Sequence, residues 1–321
     1  MALKTTPFVI TGGEHDAQQF RMMIKDLAQG NQGVTQGSHL KVAALSTPGA
    51  GVQVGDGSAV ITGVWAADQG SYNVYNIGAD IVNIAATGGT GRSDMLILRV
   101  QDSNYEGDKT PSTSAFFEIV PNVSSSATTV PSGYSAIPLA RIDIPASTAT
   151  ITNAMIKDLR KVANPRRERI LYPFYPTSSL TEISGTSETW KTHPPLPSNT
   201  PAGNMRTIAI PSWAASAKVV FSVNGLRLAD GNVWGGFRFM LGTVEAAQWV
   251  GIDDNQGTAA RRVYVEMVEM IDLTTTAGAA MRGTNQSFFS RMRTRSSNAG
   301  KIGIDETTTF KIDIEFLEGP L

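Results

Sequence analysis

Between Thr308 and Leu317 the chain reads TTFKIDIEFL, with Phe310, Ile312, Ile314 and Phe316 alternating with Lys311, Asp313 and Glu315. A period of two gives a strand one apolar and one wet face, so this segment has to lie in an antiparallel sheet packed on one side only. The same signature recurs through the second half, in Ala217 to Leu228, Gly236 to Leu241, Arg262 to Leu273 and Ser287 to Thr294. Strands so spaced, with long loops between them, predict a jelly-roll-like antiparallel β-sandwich of about eight strands over residues 202–321.

The first half is also read as mainly β. Met95 to Val100 is a short apolar run between turn formers, which predicts a central strand buried on both faces. Around it we expect strands at Phe8 to Ile10, Tyr72 to Tyr75, Asp80 to Ala85, Phe116 to Val120 and Leu139 to Ile144. Val34 to Trp65 should form tandem hairpins, and Ala154 to Arg160 one or two helical turns. Phe20, Met23, Ile24 and Leu27 at helical spacing before Gly30 predict a short amphipathic helix over Asp16 to Gln29, which packs on its own domain or docks on a neighbouring subunit. The fold class is therefore an N-terminal β-rich module with short helices over 1–163, a Pro-rich linker over 164–201, and the sandwich.

Several segments in order resemble a module of tail proteins of long-tailed bacteriophages, of the minor tail, baseplate and tail-fibre or receptor-binding types. They are an Arg-x-Asp strand (Arg92, Asp94) ending in Asp-x-x-Tyr (Asp102, Tyr105), a Pro-Leu-Ala-Arg strand (Pro138 to Arg141) and a segment closing on Asp-Leu-Arg (Asp158 to Arg160). The resemblance covers about half the chain. It implies a virion structural protein, a homotrimer around the tail axis, that docks on other tail or baseplate proteins through its N-terminal module. It also implies assembly in the host cytoplasm and release by lysis.

Composition narrows the partners. With 27 basic and 28 acidic residues the net charge is −1, without the basic stripe that nucleic acid requires. There are no cysteines, hence no disulfides or thiolate metal sites. No segment has the apolar length of a signal peptide or a membrane span.

Chemistry is sparse in the sequence. His15, His39 and His193 lie apart, Gly88 to Gly91 reads as a turn, and no nucleophile elbow or phosphate loop occurs. We expect no enzyme and no cofactor. Asp253-Asp254-Asn255 has the oxygen-rich look of a calcium loop without its ligand spacing, which favours a turn. The carboxylate pairs Glu266/Glu269 and Asp313/Glu315 are nominal candidates for a glycan-degrading tail enzyme, the least favoured reading.

Aromatics are the better lead. Trp213, Trp234, Phe237, Trp249 and Tyr264 fall in or beside loops of the second domain, where exposed rings can stack on the sugars of a host surface. Arg166, Arg167 and Arg169 open the linker as an anion site, a solvated run or an intersubunit contact, and Phe20, Met23 and Ile24 are candidates for intersubunit packing. Two functions remain open: a tail component presenting its sandwich to host-surface carbohydrate, and a purely architectural tail or baseplate part without a host ligand.

Overall fold

The helix near the N-terminus shows how sequence sets local structure here. Asp16 accepts the Gln19 N–H while the Gln19 side chain accepts the Asp16 N–H, a capping box that starts α1 (Ala17–Leu27). Gly30 follows at φ +73°, its N–H bonded to the Lys25 carbonyl, and stops it. The structure, a computed structural model, describes residues 7–106, 114–176, 179–193 and 205–321. It divides into two units, 1–165 with 319–321, and 166–318.

The first unit continues with β1 (Gly33–Val34), β2 (Val42–Ala44), β3 (Gly51–Val54), β4 (Gly57–Thr62), β5 (Ser71–Asn76), β6 (Asp80–Asn83), β7 (Arg92–Val100), the turn α2 (Ser103–Glu106), β8 (Ala115–Val123), β9 (Ala136–Ile144) and β10 (Ile156–Asp158). They form three antiparallel sheets ordered β1-β4-β5, β2-β3-β6 and β10-β9-β7-β8. Strand β7 lies between β8 and β9, as the run Met95 to Val100 requires. Leu96 and Leu98 pack into the main core with Val52, Ile61 and Leu139, while Met95 and Ile97 face a second cluster with Val120 and Tyr134. Both faces of the strand are therefore apolar.

Three expectations for this half are corrected. Phe8 to Ile10 is a turn, not a strand: Val9 sits at φ 66°, and the Phe8 ring packs edge-on against Phe20 of α1, 5.0 Å away. Among the described residues no strand pairs with this segment. Strands β3 and β4 do not form a hairpin but enter different sheets. The chain swings at Gly57, φ +139°, where a Cβ would fall 2.4 Å from that of His39. Ala154 to Arg160 is a 3-10 turn followed by β10, because Ile156, Lys157 and Asp158 pair with Ile142, Arg141 and Ala140 of β9. Sheet completion overrides local helical preference.

The second unit contains β11 (Arg167–Phe174), β12 (Thr181–Ile183), β13 (Lys191–Thr192), β14 (Arg206–Ala209), β15 (Ala214–Ala229), β16 (Val233–Leu241), β17 (Val244–Glu245), β18 (Val250–Asp254), β19 (Arg261–Asp272), helix α3 (Thr276–Met281), β20 (Asn285–Thr294), β21 (Lys301–Ile304) and β22 (Thr309–Glu318). Two six-stranded sheets result. One runs β11-β22-β15-β21-β12 with β19 on β15, the other β13-β20-β16-β17 with β14 on β20 and β18 on β16. Their inner faces meet through phenylalanine: Phe221 of the first sheet stacks on Phe237 of the second at 5.0 Å and meets Phe288 edge-on at 5.0 Å. All three are fully buried, so the sandwich has one continuous core.

Of the expected linker over 164–201, the described residues are not a plain connection, and 177–178 and 194–201 lie outside them. Strand β11 pairs with β22 over eight positions and sends Ile170, Tyr172 and Phe174 toward the core. Its arginines and Pro173 hid the alternation. No helix among the described residues is long and apolar enough to cross a membrane.

Candidate functional site: a tryptophan and arginine face

The second sheet turns an unusual surface outward. Along β16, Val233, Phe237, Phe239 and Leu241 are buried, while Trp234 and Arg238 lie on the opposite face together with Gly236. On β20 the alternation buries Phe288, Ser290, Met292 and Thr294 and directs Arg291 and Arg293 outward. The register sets Arg293 against Gly236 and Arg291 against Arg238, and the Arg295 N–H bonds the Trp234 carbonyl.

Gly236 is the floor of this surface. A Cβ there would fall 2.8 Å from Trp249 and 3.0 Å from Trp190, so the absent side chain is what lets both indoles settle on the sheet. Trp190, just before β13, and Trp249, just before β18, meet edge to face at 6.2 Å. The Arg238 guanidinium lies 4.1 Å from the Trp190 ring, that of Arg293 4.6 Å from Trp190 and 4.9 Å from Trp249, and that of Arg295 5.2 Å from Trp234. Such contacts are each worth about 0.5–1 kcal/mol when exposed and ~2 when dehydrated. Three indoles and three guanidiniums thus form one continuous array.

Its electrostatics are cationic. Glu188 reaches Arg293 at 3.5 Å and Arg295 at 3.4 Å, and Glu245 pairs with Arg238, leaving Arg291 to bond the Trp190 carbonyl at 3.0 Å. Four arginines face two carboxylates. Burial, opposed by Glu245 and reinforced by Arg291 and Arg293, pulls Arg238 below the usual guanidinium range. Among the described residues the buried Nε atoms of Arg238 and Arg293 have no hydrogen-bond acceptor, so the indole faces share these guanidiniums with Glu245 and Glu188. A surface of this kind offers rings to the apolar faces of a sugar and positive charge to its acidic substituents.

Of the five aromatics singled out in the sequence, Trp234 and Trp249 come together here. Phe237 does not: it is buried in the phenylalanine stack and cannot touch a ligand. Trp213 is half-buried beneath the Arg166 guanidinium at 5.0 Å, and Tyr264 stands 56% exposed on β19 of the other sheet, bonded to Glu266. Trp190 and the arginines were missed. Arg291, Arg293 and Arg295 at period two carry a legible signal, since that spacing puts all three on one face of a strand.

The other candidates have structural partners. Arg166, Arg167 and Arg169 bind Glu318, Glu315 and Asp313 of β22 at 2.8, 4.0 and 2.6 Å, so the arginine run zips β11 to its own sheet. Ile24 packs against Ala28, Val60 and Ala163 of its own unit, while Phe20 remains 47% exposed. Glu266 and Glu269 lie on opposite faces of β19 and cannot flank a bond. Arg169 holds Asp313 below the usual carboxylate range, and Tyr264 and Lys311 do the same for Glu266, the reverse of what a general acid needs. In the calcium-like stretch Asp254 pairs with Arg261, and no group of three His, Asp or Glu side chains converges among the described residues. His15 accepts the Val9 N–H, His39 bonds Thr35, and His193 is buried.

No family model and no curated protein matches the sequence. Among solved structures, the T13 particle of infectious bursal disease virus aligns over 90% of this chain and 71% of its own at 11% identity and a TM-score of 0.25. The VP2 subviral particle of the same virus gives 90%, 74%, 11% and 0.24, and desmodium yellow mottle tymovirus 49%, 90%, 8% and 0.18. Scores this low carry no inference about this chain.

Proposed function

We propose that this chain is a non-enzymatic virion structural protein of a long-tailed phage, placed at a tail tip, baseplate or fibre. The first unit docks it on neighbouring tail proteins as a homotrimer, and the second presents the tryptophan and arginine face to host-surface carbohydrate. The single observation that carries the ligand part is that face: three indoles on a glycine floor, interleaved with arginines, on the outside of a sheet whose inside already holds a full core.

The resemblance to tail modules supports the rest, because its residues are the ones that tie the first unit together. Arg92 holds Asp94 at 2.8 Å and caps the Ala85 and Ala86 carbonyls. Tyr72 donates to Asp102 at 2.7 Å, and Arg21 reaches Tyr105 at 3.2 Å. Arg160, its side chain fully buried, holds Asp158 at 2.7 Å and bonds the Gly37 and His39 carbonyls. Motif residues that build a module travel with its fold.

Adsorption of the purified chain to isolated host envelope polysaccharide tests the ligand. Trp249→Ala and Arg293→Ala should each weaken it by about tenfold or more, the ~1.4 kcal/mol expected of one ring or charge contact. Undiminished adsorption by both folded variants would favour the second reading, an architectural part in which this face only stiffens the sandwich.

A further inference from the structure

Among the described residues the sheet edges are blocked, with one exception. Among edge strands, β8 carries Pro121 and β11 carries Pro173, and a proline cannot donate to a neighbouring strand. The edges β1, β2, β6, β10, β12, β13, β14, β17 and β18 have at most five residues, and β5, with six, is packed by α1. Strand β19 has twelve residues, no proline, and among the described residues β15 as its only ladder partner. Half of its backbone N–H and C=O groups therefore point away from the sheet. Its outer face is apolar for an edge, with Tyr264, Val268 and Met270 each more than half exposed.

We propose that β19 is the edge through which two copies of this chain pair, antiparallel and centred on Met267. The strand is complementary to its own reverse. It opens on Arg261 and Arg262 and closes on Glu269 and Asp272. With Met267 opposite the partner's Met267, Arg262 meets the partner's Asp272, Tyr264 meets the partner's Met270, and Glu266 meets the partner's Val268. Arg262 already binds Asp305 at 2.6 Å through Nη2, and its guanidinium has five donors, enough for a second carboxylate. Register is specified as well. A slip of one residue sets outer side chains against inner ones. A slip of two either places Glu266 opposite its own copy or carries Arg262 past Asp272. Copies joined this way come in even numbers: two, or six where a ring of three is doubled. The inference is independent of any ligand.

Because the chain has no cysteine, the pairing can be read covalently. Full-length Tyr264→Cys and Met270→Cys are prepared separately and oxidised alone and mixed. Facing residues stand about 5 Å apart at Cβ, within disulfide reach, whereas positions 264 and 270 of one chain are ~20 Å apart. The proposal expects a linked pair from the mixture and none from either variant alone. It also expects Val268→Glu, which sets two carboxylates face to face, to halve the native mass. No cross-link from the folded mixture, or a native mass that Val268→Glu leaves unchanged, overturns it.

Discussion

At Gly236 the missing side chain has a function of its own, because two tryptophans occupy the space a methyl group would fill. Gly236→Ala should lower stability by about 1–3 kcal/mol, the usual cost of overpacking, and should displace both indoles. Thermal melting with tryptophan fluorescence reads both effects. An unshifted emission maximum with unchanged melting would mean that the indoles do not rest on Gly236. His193 gives a second test. Burial pushes its imidazole down to about 4 from an ordinary value near 6.5. An unfolded chain takes up this proton near pH 6.5 and the folded one only near pH 4, so stability falls as pH drops through that window, by about 3 kcal/mol at most. Above pH 6.5 both states are neutral and the effect vanishes. In His193→Leu, melting temperatures measured from pH 7 to 4 should show a correspondingly shallower decline.

Elements reveal where sequence reading succeeds. The alternation of Phe310, Ile312, Ile314 and Phe316 translates directly into β22, and the unbroken run Met95 to Leu98 into a strand covered on both faces, because burial acts on each residue through the strand's own period. Strand β11 is hard to read from sequence because Pro173 and its charged opening Arg167-Glu168-Arg169 mask the alternation, and only pairing with β22, well over a hundred residues later, makes sense of them. The tryptophan and arginine face was half legible for the same reason. Spacing puts Arg291, Arg293 and Arg295 on one side, but register with Gly236 decides that tryptophans join them. Within the core, Phe221 touches Phe237, Phe239, Phe288 and Phe310, linking the two sheets. Phe221→Ala should cost about 3–5 kcal/mol in denaturant unfolding. A loss under ~1.5 kcal/mol, the scale of a tolerated core swap, would mean that the sheets are held elsewhere. By contrast Arg169→Ala, removing an ion pair whose arginine is two-thirds exposed and screened by solvent, should leave the unfolding midpoint nearly unchanged.

For the whole molecule, the proposed function divides the labour between two β units, the first docking on the particle and the second meeting the host. The motif residues of the first unit are internal braces, and the aromatic and cationic face belongs to the second. Each unit also has its own apolar core. This division can be read on intact phage particles by negative-stain electron microscopy, with antibodies raised separately against residues 1–165 and 166–318. The second antibody should label the free distal end of the tail, and the first should be blocked by neighbouring tail proteins. Labelling of neither unit on the tail, or exposure of the first unit with the second buried in the particle, would overturn the proposed division.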